Sequence, residues 1–241
     1  MCGVRRFAAW PSVSDVTYIA PAPSPSPPAS SFFIKTATSL HQSDIALGRD
    51  KFLAVAKPDG KLDMPSFLAA CDDVVKIVDK LGAFLSTVRG DINGNITKCR
   101  AAMAKSEGVA LLEDLCGKEM EGGIQKSEGT VCLSLLWLKR ALAMIIGMVA
   151  NLADPSYADK KLSVCVQDSY KNTLAPFHGW IVSTAVSTAM GMAPTRETFN
   201  KSLANGASDE QIQADMKEFA AASEPLIAHI QTYFDANGLD Y

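Results

Sequence analysis

The sequence has few of the residues that metal-binding and covalent catalytic sites use. Among its 241 residues are three histidines and six cysteines, at positions 2, 71, 99, 116, 132 and 165, with no CxxC pair. This spacing predicts neither a zinc site nor a disulfide framework. Five of the cysteines fall in apolar helical stretches, so we expect small buried thiols, no metal and no cofactor.

Clustered positive charge and enzyme motifs are also missing. The net charge is −3, and no basic patch is present to neutralise phosphates, so we expect no nucleic-acid partner. No strained nucleophile turn or paired carboxylate is recognisable. Asp91 and His178 could act as an acid and a base, but residues so common and so far apart are weak support. We therefore expect a protein that is not an enzyme.

One apolar run, Val131 to Ala153, approaches the length of a membrane span. Lys139 and Arg140 would lie near the bilayer midplane, where each costs at least about 2.5 kcal/mol. The run is better interpreted as the core helix of a soluble bundle, with neighbours on most sides.

The chain divides by composition into a tail and one domain. Residues 1–42 include the Pro/Ser-rich stretch APAPSPSPPASS, which cannot build a core and predicts a disordered extension. Arg5 and Arg6, with no acid before Asp15, are weakly typical of an organellar targeting segment. A plain flexible tail is the alternative. Residues 43–241 form the domain.

Helical signals dominate this domain. Asp63 before Met64-Pro65 caps a helix that Gly82 ends, and Ser208 with Gln211 forms a capping box for a last helix to about Ala236. The other predicted helices are one that carries Asp91, Asn95 and Lys98, then Glu107 to Met120, Val131 to Leu152, a long one from Tyr157 to Met192 broken or kinked near Pro176, and a short one from Pro194-Thr195 to Gly206. No strand alternation and no persistent heptad occur. The prediction is an all-α fold of about eight helices in two layers.

The stretch DINGNITK places three polar side chains on one helix face. Offsets of four and seven residues fall within about 40° of one direction, so Asp91, Asn95 and Lys98 project together. Such charges are most often a solvated surface pair. Gly94 weakens that interpretation, because a helical Gly costs about 1 kcal/mol relative to Ala and favours close approach by a ligand or another backbone.

Two tryptophans and a histidine also stand out. Trp137, on the most apolar helix, is either core or a flat surface for the apolar face of a sugar ring. His178 is either a satisfied core residue or a binding residue. Trp180 and Ile181 beside it suit a membrane interface, since an indole has an apolar body and one N–H donor.

Three segments together resemble the glycolipid transfer protein family. DINGNITK, SLLWLKRAL (Ser134 to Leu142) and SYKNTLAPFHGWIV (Ser169 to Val182) are similar to its signature segments, in the same order and at similar intervals. FLAACDDVVKIVDKLG and MAPTRETF resemble flanking segments, and the likeness runs from about residue 60 to the C-terminus. The resemblance implies a two-layer α-helical sandwich that holds one glycosphingolipid, with its sugar at the surface and its chains inside.

The resemblance also implies the role of each site residue. Asp91 accepts from the ceramide amide, Asn95 and Lys98 donate to sugar hydroxyls, Trp137 stacks under the first sugar, and His178 donates to the ceramide carbonyl. Tyr241 falls near a family tyrosine by the headgroup. The implied hydrocarbon pocket consists of Val74, Ile77, Val78, Leu85, Val88, Leu133, Tyr170, Leu174, Val186 and Phe199, whose roles in the empty protein coincide with ordinary core. Trp180, Ile181 and the Phe84-Leu85 loop would dock on the membrane.

The same resemblance implies which headgroup the protein prefers and where in the cell it works. Family members that prefer ceramide-1-phosphate carry arginines at the positions of Leu133 and Trp137, so this sequence resembles the neutral-sugar branch. The expectation is a monomeric, cytoplasmic carrier of glucosyl- or galactosylceramide that contacts membranes transiently. The alternatives are a ceramide-1-phosphate transfer protein and a sphingolipid sensor that does not transfer. Pro176 departs from the family pattern and bears on the helix that aims His178 and Trp180.

Overall fold

A computed structural model describes residues 42–106 and 108–241, with Ile181 described in its backbone only. These residues form nine α-helices joined by turns, and no strand longer than an isolated bridge occurs among them. The all-α prediction is confirmed, with one helix more than expected. The helices are α1 (Asp44–Leu53), α2 (Met64–Leu81), α3 (Ser86–Ala104), α4 (Leu112–Glu121), α5 (Val131–Ala153), α6 (Leu162–Thr173), α7 (Trp180–Met190), α8 (Arg196–Ala204) and α9 (Asp209–Ala236). The predicted N-terminal extension, apart from Gln42, lies outside the described residues.

Local capping sets the starts of the helices that were predicted best. The Asp63 carboxylate accepts from the Ser66 amide at 3.0 Å and begins α2, while Ser208 Oγ accepts from the Gln211 amide at 3.2 Å and begins α9. Only half of the predicted capping box forms, because the Gln211 side chain donates to Asp215 instead of returning to Ser208. Asp215 is buried and also accepts from Ser43 Oγ at 2.5 Å, which ties α9 to the start of α1.

The predicted helix starts at Glu107 and Tyr157 are wrong. Contacts with the segment before α2 hold residues 109–111 extended: the Met64 amide donates to Ala110 O at 2.8 Å, and the Leu112 amide to Leu62 O at 2.9 Å. α4 therefore begins at Leu112. The long helix predicted to follow α5 begins at Leu162, and Pro176 separates it into α6 and α7 through a short 3₁₀ turn at Ala175–Phe177.

α5 is the centre of the domain. It packs against α3, α4, α6 and α9, while α2 packs against α1, α3 and α8. α5 is apolar and long enough to cross a membrane, but 78% of its most apolar window is buried inside the protein. The Lys139 and Arg140 side chains are buried too, and both pair with Asp240, at 3.2 and 2.8 Å. These contacts agree with the interpretation of this run as a core helix.

Five cysteines of the described residues are buried and unpaired, as predicted. Burial in the apolar core raises the pKa of the Cys99 thiol to about 12. Such a thiol stays protonated at neutral pH and behaves as a small apolar side chain.

The close approach of α5 and α6 at Gly147 generates a stability prediction. A Cβ at Gly147 would lie 2.6 Å from Ser169 Oγ, whose hydroxyl donates to Met144 O at 2.6 Å. We expect Gly147→Ala to destabilise the protein by about 1–3 kcal/mol through overpacking. Gly117→Ala is the control: its Cβ meets nothing within 4 Å, so helix propensity should make it neutral or stabilising by up to about 1 kcal/mol. Urea unfolding of both variants measures the difference, and equal stabilities would contradict the prediction.

Candidate headgroup site

α3 presents Asp91, Asn95 and Lys98 in three different environments. Asp91 reaches solvent, Lys98 is half-buried, and Asn95 is 5% exposed. The Asn95 amide donates to Asp91 O at 2.9 Å. A Cβ at Gly94, between them, would meet nothing within 4 Å. Close approach by another backbone therefore does not explain Gly94, and approach by a ligand stays a prediction.

Asp91 responds electrostatically to groups from a distant part of the chain. Surrounding protein atoms raise the pKa of Asp91 by desolvation, while the Asn95 amide, the positive charge of Lys98 and, when it is protonated, the His178 imidazole act to lower that pKa. The His178 imidazole is reciprocally affected: burial lowers its pKa, and the Asp91 carboxylate opposes this shift. The fold therefore places the Asp91 carboxylate and the His178 imidazole near enough for each to influence the pKa of the other.

Tyr170 orients the His178 ring. Its hydroxyl lies 2.9 Å from His178 Nδ1 and 3.3 Å from Ser183 Oγ. Tyr170 has one hydroxyl proton. When it donates that proton to Nδ1 of a neutral imidazole rather than to Ser183 Oγ, the ring proton lies on Nε2, which becomes a donor. Sequence reasoning assigned Tyr170 to the hydrocarbon pocket alone. Its ring is indeed buried, and the role of its hydroxyl depends on a contact that no sequence spacing reveals.

Trp137 lies against a buried arginine. The Arg140 guanidinium carbon is 5.1 Å from the Trp137 ring centroid and 3.5 Å from that of Phe177. Arg140 Nη2 also donates to Asp240 Oδ1 at 2.8 Å and to Tyr241 O at 2.9 Å. The Arg140 guanidinium therefore positions both the Trp137 indole and Phe177, the residue before His178. Arg140 is the site residue that sequence reasoning missed, although its charge within an apolar helix was a usable signal.

The last residues of the chain lie near Trp137, beside Arg140. Tyr241 is 45% exposed, its carbonyl accepts from Arg140, and the Lys126 ammonium lies 4.3 Å from its ring centroid. The two buried cations of α5 hold Asp240. Tyr241 thus joins Trp137 through Arg140, while the structure records no contact between Tyr241 and the α3 trio.

The predicted hydrocarbon pocket is closed in this conformation. Seven of its ten residues are buried, and Val88, Leu133 and Val186 are half-buried against the core. Two surface clefts lie elsewhere: one is lined by Ser183, Thr184, Ser187 and Thr188, the other by Pro65, Leu68, Arg100, Met103 and Ala104. Chains could enter the predicted pocket only if these core side chains moved apart.

The predicted docking residues differ in exposure. Trp180, at the start of α7, is 79% exposed, whereas Phe84 is half-buried against the core and Leu85 is buried. Leu85 therefore cannot contribute to an exposed docking loop in this conformation. Phe177 and Val182, which were not predicted, are 44% and 46% exposed. Within the described residues, no three His, Cys, Asp or Glu side chains group as a metal ion would require.

Comparisons with known proteins extend these observations. A family model described as Glycolipid transfer protein (GLTP) matches residues 62–205, more than half of the chain. Glycolipid transfer protein 1 of Arabidopsis thaliana is 29% identical over 187 residues, which are 77% of this chain and 90% of that relative. The human pleckstrin homology domain-containing family A member 8 is 28% identical over 191 residues, 76% of this chain, which spans only 36% of that relative's length.

Solved structures share the fold. Mouse ceramide-1-phosphate transfer protein in its apo form matches with a TM-score of 0.77 at 22% identity, over 83% of this chain and 99% of that chain. A structure of FAPP2, described as selecting simple glycosphingolipids with the GLTP-fold, matches with a TM-score of 0.75 at 25% identity, over 83% and 98%. The predicted two-layer α-helical fold is confirmed.

The environment of Asp91 generates a pH prediction. Its folded pKa lies above the unfolded value, so the folded protein holds this proton more tightly, and that stabilisation disappears as pH rises through the folded pKa. At neutral pH the ionised carboxylate destabilises the empty protein. We expect Asp91→Asn to have a higher Tm than wild type at about pH 7.5, by a margin that shrinks as pH falls towards about 4.5.

Thermal unfolding across this pH range tests the sign. Asp72→Asn serves as the control, because it removes an exposed α2 carboxylate paired with Arg100 at 2.6 Å. This control should show no stabilisation at neutral pH. An Asp91→Asn protein less stable than wild type at neutral pH would contradict the prediction.

Proposed function

The chain belongs to the glycolipid transfer protein family, and we propose that it extracts a single glucosyl- or galactosylceramide from one membrane and releases it at another. Lipid transfer is the activity that the family and fold support. The choice of a neutral sugar headgroup rests on the residues of this chain.

The placement of Asp91 and His178 near enough to influence each other electrostatically carries the proposal. A ceramide amide has one donor and one acceptor, and an unpaired amide in a dry site costs about 1–3 kcal/mol. Asp91 supplies an acceptor for the amide N–H, and His178 Nε2, with Nδ1 held by the Tyr170 hydroxyl, supplies a donor for the carbonyl. Two groups from α3 and the α6–α7 turn therefore match both halves of the amide.

Neighbouring residues suit a sugar. Asn95 and Lys98 lie on the same helix face as Asp91 and offer donors for hydroxyls. Trp137 is half-buried, and its contact with Arg140 fixes a ring on which an apolar sugar face could stack. Leu133, one turn before Trp137, adds no positive charge for a phosphate.

The hydrocarbon chains would enter the closed core. Each CH₂ removed from water contributes about 0.8 kcal/mol, so two long chains supply ample free energy to separate side chains such as Ile77, Val78 and Phe199. α7 is the helix that can move with the least loss of packing, because its described side chains are mostly exposed or half-buried and, among them, only Met190 is buried.

Membrane contact would begin near this helix. Trp180 offers a largely exposed indole, and Phe177 and Val182 extend the apolar surface around it. We propose a monomer that docks transiently as a peripheral, cytoplasmic protein, with no chemical change to the lipid. A ceramide-1-phosphate carrier is the second candidate, because mouse ceramide-1-phosphate transfer protein shares the fold. A sensor would bind lipid without moving it.

Transfer of fluorescent galactosylceramide, glucosylceramide and ceramide-1-phosphate between vesicles tests the proposal. We expect the hexosylceramides to move fastest. Asp91→Asn and Trp137→Ala should each lower their transfer by at least about tenfold, the equivalent of about 1.4 kcal/mol. Tyr170→Phe, which removes only the hydroxyl that orients His178, should lower it less.

The control Asp72→Asn should transfer at the wild-type rate. Preferred transfer of ceramide-1-phosphate would overturn the sugar assignment, and binding without transfer would favour a sensor. Mass spectrometry of the recovered lipid would reveal any chemical change and so contradict a carrier role.

A further inference from the structure

Glu128, which lies outside the predicted headgroup site, contacts Lys98, the cation of that site. Glu128 Oε1 lies 2.5 Å from Lys98 Nζ. Glu128 belongs to the loop between α4 and α5, two residues before Thr130, the N-cap of α5. Its side chain is 76% exposed and that of Lys98 is 43% exposed. Both charges therefore lie where a headgroup would meet water.

A second carboxylate, that of Glu119, caps the N-terminus of α5. Glu119 accepts from the Val131 amide at 2.6 Å and from the Cys132 amide at 2.8 Å. Thr130 Oγ1 accepts from the Leu133 amide at 3.4 Å. The first-turn N–H groups of a helix are a ready anion site, and here the protein's own side chains occupy them. A phosphate near Leu133 would find these donors taken.

Other cations near the site are also engaged. Arg140 and Lys139 both pair with Asp240, and burial lowers the pKa of His178, which favours its neutral form. Lys126 lies over the Tyr241 ring. A phosphate placed beside Lys98 would therefore meet the carboxylates of Asp91 and Glu128 together with a single ammonium that is already paired.

We propose that Glu128 is a specificity-determining residue, which makes the headgroup site accept an uncharged sugar and disfavour a phosphomonoester. This inference rests on the proposed function. A hexose hydroxyl is both donor and acceptor, so it can use Glu128 and Lys98 together. A phosphate oxygen is repelled by Glu128 and competes with it for Lys98. Glu128 thus adds repulsion of the wrong headgroup to the attraction that Lys98 and Asn95 offer the right one.

A competition experiment tests this role. Donor vesicles of neutral phosphatidylcholine carry equal fractions of galactosylceramide and ceramide-1-phosphate, and the transfer ratio of the two lipids is measured for wild type, Glu128→Gln and Glu128→Lys. We expect Glu128→Gln to raise relative ceramide-1-phosphate transfer roughly fivefold, and Glu128→Lys to raise it further. Added salt should reduce the effect of Glu128→Lys, since both charges are exposed.

Glu197 provides matched controls. It forms an exposed ion pair with Lys201 at 2.7 Å on α8, a helix that packs against α1, α2 and α9. Glu197→Gln and Glu197→Lys change the net charge by the same amounts as the Glu128 variants but leave Lys98 paired. They should leave the transfer ratio unchanged. A loss of folding cannot produce the expected gain for ceramide-1-phosphate, so a positive result is not a stability artefact.

The outcomes separate the two proposals. If wild type already prefers ceramide-1-phosphate, the proposed function fails and the role of Glu128 fails with it. If wild type prefers galactosylceramide and the Glu128 variants keep the wild-type ratio, the proposed function stands and the inference about Glu128 is wrong. An equal shift in the Glu197 variants would assign the effect to overall charge and would also overturn it.

Discussion

The headgroup side of the protein depends on the contacts of the buried Arg140 guanidinium. The guanidinium pairs with Asp240, lies against the Trp137 and Phe177 rings and donates to the Tyr241 carbonyl. Removing one partner from a buried charge commonly costs about 3–5 kcal/mol. Asp240, Phe177 and Trp137 are therefore fixed together, and the middle of α5, the 3₁₀ turn after α6 and the last residues of the chain meet at one point.

In the empty protein, the Asp91 carboxylate lies in an environment that a bound lipid headgroup would make more favourable. Asp91 is desolvated enough to raise its pKa, and Gly94 leaves open space above α3. Meanwhile the apolar residues proposed to receive the chains pack on one another. A desolvated carboxylate at the site and a core that can close without its ligand are both useful to a carrier, because bound and empty forms must remain close in free energy for the lipid to be released.

Local signals in the sequence predicted most of the helices, and long-range contacts account for the errors. Asp63 and Ser208 cap helices through side chains three residues from their partners, so the starts of α2 and α9 could be predicted. The start of α4 could not, because the extended segment before it is held by residues Leu62 and Met64. The helix face of Asp91, Asn95 and Lys98 was visible in their spacing, whereas the roles of Trp137 and His178 required the family resemblance. Tyr170 with His178 and Arg140 with Asp240 meet only through the fold.

A crystal structure of the protein with bound galactosylceramide would show whether Asp91 and His178 hold the ceramide amide. We expect the ceramide nitrogen within about 3.2 Å of an Asp91 carboxylate oxygen and the ceramide carbonyl oxygen within about 3.2 Å of His178 Nε2. We also expect the hexose against Trp137 and at least one chain among Val74, Ile77 and Val78. A headgroup bound away from α3, or an amide that contacts neither Asp91 nor His178, would contradict this expectation.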